Sequence, residues 1–255
     1  MLTRDCRRAL LLGALALTAA VTTTDARATV ALTGATAPQA VASSLVVSPS
    51  SLSTAPYAFS SLLDGAPVRW NPCAPIRWTA NTARGPVGGL AVLQASVARV
   101  AALTGTTWQY VGASATVPTA GYLPRTAQAT YPPVLIGWTD AAASDLLRGQ
   151  AGSVLGMTRT SWFGVQMSDG RRVAATRAAV IALDRTDRLP LRGGASWTSV
   201  TLHELGHAMG LAHVSGTREL MSAVLPRALA GLQTRGRAGL FRLGRSAGCV
   251  TVPAL

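Results

Sequence analysis

The chain has 255 residues, 49% of them hydrophobic and only 13% charged, which is enough apolar sequence to bury a core and excludes a disordered polymer. Its formal net charge is +13, with Arg as the sole basic side chain apart from three His and no Lys at all, a pattern that coding bias explains most simply. The Arg residues are scattered, the densest mature stretch being RRVAATR at 171–177, and no aromatic residues interleave them, so no nucleic-acid partner is expected.

Residues 1–28 have the organisation of a secretory signal peptide. MLTRDCRR supplies a positive start, ALLLGALALTAAV (9–21) an apolar run, and Ala26-Arg27-Ala28 a small-x-small cleavage site. The run is too short for a stable membrane anchor, so a secreted, extracellular protein is expected. Cys6 would leave with the peptide. The remaining pair, Cys73 and Cys249, then suggests a disulfide joining the two ends of the domain, two unpaired thiols being the alternative. Residues 29–56 are rich in Ala, Ser, Thr and Pro and read as a linker or short pro-segment, with the folded domain spanning 57–255.

Within that domain PIRWTAN (75–81) reads as an opening strand. From Gly89 the apolar residues Leu90, Leu93, Val97, Val100 and Ala101 recur at helical spacing until Gly105 offers a stop. WQYV (108–111) and VLIGW (134–138) read as strands. Segments 160–167 and 173–183 flank Ser168, Asp169 and Gly170, a turn signal, and predict a hairpin whose buried arm is AAVIALD (178–184). Ser196 or Thr198 can cap the next helix, which ends at Gly210, and a last helix is expected around 235–243. Strands and helices mix in an α+β manner, and a monomer is expected.

All three histidines of the chain fall in TLHELGHAMGLAH (201–213). His203 and His207 are four residues apart, so a helix projects both from one face toward a single metal ion. Glu204, beside the first of them, can reach the metal's open position and carry a proton without ligating. Gly210 tolerates a left-handed turn that returns His213 as a third nitrogen, and three histidines with one open position make a catalytic Zn2+ site rather than a closed structural one. An amphipathic helix with incidental histidines is the bland alternative. A secreted zinc-binding adhesion protein without catalysis is the other, and the intact Glu204 argues against it. Asp140, Asp145, Asp184 and Asp187 lie in expected loops, where they are either Ca2+ donors or ordinary turn formers.

The run from His203 through Glu204, His207 and Gly210 to His213 resembles the extended zinc signature of the metzincin peptidases, H-E-x-x-H-x-x-G-x-x-H. Met221, in ELMSAV (219–224), lies eight residues beyond His213, a distance similar to the Met-turn of the matrixin branch. RWNPCAPIRW and the terminal AGC look like features of secreted actinobacterial matrixin-like proteins. The resemblance implies a metzincin-like catalytic domain: a twisted mixed sheet, a long helix, an active-site helix, a Met-turn and a C-terminal helix. It also implies a zinc endopeptidase acting on protein or peptide substrates, with Met221 packing beneath the metal rather than ligating it. An extended substrate would pair with an edge strand, for which 160–167 is the candidate. The chain departs from the family in three respects. Ser222-Ala223 stands where matrixins often have Tyr-Pro, no histidine remains for a second zinc, and no cysteine-switch segment is present.

Overall fold

A computed structural model describes residues 40–45, 57–150, 154–215, 219–224 and 234–252. The proposed signal peptide, 1–28, lies outside these residues, as does most of the linker. In chain order the elements are β1 (Ala40–Leu45), β2 (Leu62–Leu63), β3 (Ala66–Pro67), β4 (Ile76–Asn81), α1 (Gly89–Thr104), β5 (Trp108–Ala113), β6 (Val134–Thr139), β7 (Gly156–Gln166), β8 (Arg172–Asp184), α2 (Trp197–Met209) and α3 (Thr234–Leu243). This is the α+β arrangement expected.

Six strands form one mixed sheet in the order β1-β7-β8-β6-β4-β5. The pairs β5–β4, β4–β6 and β6–β8 are parallel, whereas β7 runs antiparallel to β8. The β7–β8 hairpin turns at Gly170, whose φ of 82° is easy only for glycine. Both faces of the central strands are covered, which explains the unbroken apolar run in β8. Ala179, Ile181 and Leu183 face the core under the helices, and Ala178, Val180 and Ala182 face a second cluster with Leu135, Leu146 and Leu147.

The long helix α1 packs on α2, burying Val92, Leu93, Val97 and Val100. Leu90 and Ala101, expected on this face, sit at its flank and are half-buried. Helix α1 ends at Gly105 in the left-handed conformation, as the sequence suggests. Cys73 and Cys249 are bonded, closing a span of 176 residues. Asn71 reinforces the junction, its Oδ1 accepting from the backbone N–H groups of both Cys73 and Val250. Among the described residues, no helix is long and apolar enough to cross a membrane.

Two features depart from expectation. Strand β7 begins at Gly156, four residues before the predicted edge at 160. Its outer side is not open throughout: β1, from the stretch read as linker, pairs antiparallel with it from Ala40 opposite Val165 to Leu45 opposite Thr160.

Candidate metal centre

Helix α2 starts at Ser196, whose hydroxyl accepts from the Ser199 N–H while the Ser199 hydroxyl accepts from the Ser196 N–H. This reciprocal cap fixes the first turn, so the helix delivers His203, Glu204 and His207 from a rigid, almost wholly buried rod. At Gly210 the backbone takes φ 116°, the helix ends, and the chain doubles back. A side chain there would also crowd the Val68 carbonyl, 3.1 Å from the position of its Cβ. After the turn, the Ala212 N–H donates to Ala58 O at 2.8 Å, anchoring the segment that carries His213.

The three imidazoles converge through one nitrogen each. Nε2 of His207 lies 3.1 Å from Nε2 of His203 and 3.1 Å from that of His213, and the third separation is 3.2 Å. The outer nitrogens of two rings are committed: His203 Nδ1 sits 2.5 Å from Leu220 O, and His207 Nδ1 2.8 Å from Leu211 O. A carbonyl only accepts, so these contacts require Nδ1–H and leave each Nε2 as a bare lone pair. Those two lone pairs then face each other across 3.1 Å with no proton between them, an arrangement that a cation resolves. Four-coordinate zinc holds imidazole nitrogens at about 2.0–2.1 Å, hence about 3.3 Å apart, close to the separations seen. The donor set therefore fits zinc, and His203, His207 and His213 form the one group among the described residues gathered tightly enough to hold a metal ion.

Burial sets the charge states. It holds His213 down to about 4, with His203 adding repulsion. Burial likewise lowers His203, and it lowers His207 well below the ordinary value with help from its two neighbours. The same burial pushes the Glu204 carboxyl up to about 7, against the pull of a hydrogen bond from Thr158. The Thr158 hydroxyl lies 2.7 Å from Glu204 Oε2 and 3.0 Å from its backbone oxygen.

Met221 is buried beneath the site. Its Sδ approaches Gly206 so closely that a Cβ there would lie 2.5 Å from the sulfur. The same short segment serves the metal group twice, since Leu220 supplies the carbonyl on His203 and Met221 O accepts from Val214, next to His213. Met221 is thus packed against the helix that carries His203 and His207. Gly156, Thr158, Gly206 and Leu220 were not singled out in sequence. Gly156 lay outside the strand read at 160–167, so its close approach to Glu204 left no signal in the sequence.

Of the aspartates read as candidate calcium donors, Asp140, Asp145 and Asp184 have partners within the fold. Asp140 pairs with Arg84 and Arg185, and the Arg185 hydrogen bond holds its carboxyl below the usual range. Asp145 Oδ1 accepts from the Ala120 N–H, and Asp184 Oδ1 from Thr186.

The Matrixin family model matches residues 107–234, half of the chain, from the start of β5 to the first residue of α3 and so across the whole metal group and Met221. No curated protein matches the chain.

Proposed function

The chain belongs to the matrixin family, which are zinc metallopeptidases, and from that premise we propose that it is an exported endopeptidase working through His203, His207, His213 and Glu204. The observation that carries this reading is the convergence of three Nε2 atoms at 3.1–3.2 Å beside a buried glutamate. Export is supported by the leader-like first 28 residues and by the disulfide, which suits an oxidising compartment.

His203, His207 and His213 would hold zinc, which when bound supplies the Lewis acid that polarises the scissile carbonyl and activates water. Glu204 takes the proton from the attacking water on its carboxylate and delivers it to the departing amine nitrogen. The peptide lies extended along the outer edge of β7, its backbone pairing with the strand while pockets beside it read the side chains. Casein or a peptide library, incubated with the purified protein and assayed beside Glu204→Ala with metal content measured on both, tests the reading. Cleavage abolished by chelation and by Glu204→Ala with zinc retained is expected. Cleavage that survives either change overturns it.

A further inference from the structure

We propose that Thr158 is a positioning residue for the Glu204 carboxylate, with Gly156 making the room that the arrangement needs. Gly156 and Thr158 are two apart on β7, so they share one face of the strand, and that face meets Glu204. A Cβ at position 156 would stand 2.9 Å from Glu204 Cγ and Oε1, so any larger residue pushes the carboxylate away. Thr158 Oγ1, 2.7 Å from Oε2, then holds one oxygen and leaves the other to exchange protons. Thr158 is itself buried, so no water replaces its hydroxyl when that is removed. Without this bond, a glutamate with three rotatable torsions loses its single productive pose.

This rests on Glu204 as the proton carrier, and the test separates the two. Thr158→Val removes the hydroxyl at nearly constant shape and Thr158→Ser keeps it. In the zinc-loaded protein, Thr158→Val lowers kcat by about 10- to 100-fold with KM within about twofold, and Thr158→Ser restores most of it. Zinc content stays at the wild-type level in both. The carboxyl stretch of Glu204, identified by infrared difference against Glu204→Gln, shifts in Thr158→Val and not in Thr158→Ser. An unmoved band, or equal loss of kcat in the Val and Ser variants, overturns the assignment. A protein that cleaves nothing even with the 40–45 segment displaced from β7 refutes the peptidase reading, and the band still decides the role of Thr158.

The pairing of β1 carries a second inference on independent ground: the structure assigns Ala40–Leu45 as the chain's own occupant of the edge that an extended substrate needs. The strand covers β7 from Val165 to Thr160 and runs toward the metal group, ending two residues from Thr158. At the other end of the connecting stretch 46–56 lies Tyr57, whose neighbour Ala58 bonds the backbone beside His213. Tethered in this way, the strand competes at high effective concentration with any peptide from solution. An edge-bound strand of this kind is a means of latency, relieved by cutting or displacing the 40–45 segment. This too rests on β7 as the substrate edge.

Ala42→Pro with Ser43→Pro in the full chain removes a ladder donor whichever of the two faces β7. The probe is a fluorescein-labelled peptide of residues 38–47, titrated into zinc-loaded Glu204→Gln protein with and without the proline pair. The proline variant binds it at least about tenfold more tightly, and amide exchange along 160–165 quickens by a similar factor. Equal affinity, or no binding to either form, overturns the inference. Because binding is read in the Glu204→Gln background, the peptidase reading is decided separately, by whether the proline variant with Glu204 intact hydrolyses peptide.

Discussion

Zinc should enter this site without displacing protons from histidine, and a calorimetric titration can count them. Three imidazoles at the ordinary value of 6.5 would each be half-protonated at pH 6.5, so metal binding would release about 1.5 protons. Here burial lowers all three, His213 to about 4 and His207 well below its ordinary value. Lowering all three leaves each less than half-protonated at pH 6.5, with almost nothing bound at His213, so the total falls below one proton. The Glu204→Gln variant is the right background, because it removes the one nearby carboxyl that titrates in the same range. Metal-free protein is titrated with zinc at pH 6.5 in two buffers of different protonation enthalpy, and the slope of observed heat against that enthalpy gives the protons released. Release of one proton or more would refute the reasoning. The sign of the linked stability follows from the same shifts. Each folded-state value lies below the unfolded one, so the unfolded chain takes up protons first as the pH falls. The metal-free fold holds this contribution in full above about pH 6.5 and loses it as the pH drops toward 4.

Glu204 works in the opposite direction. Its folded value of about 7 lies above the unfolded 4.5, so its contribution is present below pH 4.5 and is lost as the pH rises through 7. Metal-free Glu204→Gln should therefore be more stable than wild type at pH 8, by up to about 3 kcal/mol, and the gap should close by pH 4.5 in denaturant titrations. Met221→Leu should retain zinc at nearly full stability, whereas Met221→Ala should cost about 2–5 kcal/mol; loss of zinc in the Leu variant would mean that the sulfur does more than pack. Replacing Cys73 and Cys249 by Ser should lower the unfolding free energy by at most about 5 kcal/mol, the loop-closure value for the 176-residue span, measured by guanidinium unfolding with and without reductant.

The metal group was legible because its geometry is local. Four residues of helix bring His203 to His207, and one glycine brings back His213, so spacing alone carries the arrangement. The same holds for α1 and its stop at Gly105, and for β8, whose continuous apolar run follows from cover on both faces. Thr158 was not legible, since it lies 46 residues from Glu204 and only the registers joining β7, β8 and α2 bring the two together. Nor was the partnership of Gly206 with Met221, because the methionine's spacing announces a turn without saying which helical residue it meets. Strand β1 was missed for a different reason. AVASSL has little of the β-branched and aromatic content that marks a strand, and its pairing depends on an open edge elsewhere rather than on its own sequence.

One cause, burial, accounts for both charge anomalies of the site and for its place in the fold. Withdrawing ionised groups from water favours their neutral forms, which lowers the histidines and raises Glu204. Near neutral pH the metal-free site is then three neutral imidazoles and a carboxyl close to half-protonated, with almost no net charge to desolvate. That is why α2 can pack these groups among Leu202, Leu205, Ala208 and Met209 in the middle of an apolar core. The cost appears elsewhere, in the Nε2 lone pairs of His203 and His207 facing each other across 3.1 Å. A divalent cation held by the three histidines would relieve that repulsion and, by its charge, would favour the ionised carboxylate of Glu204, so that metal binding and readiness of the base would be a single event.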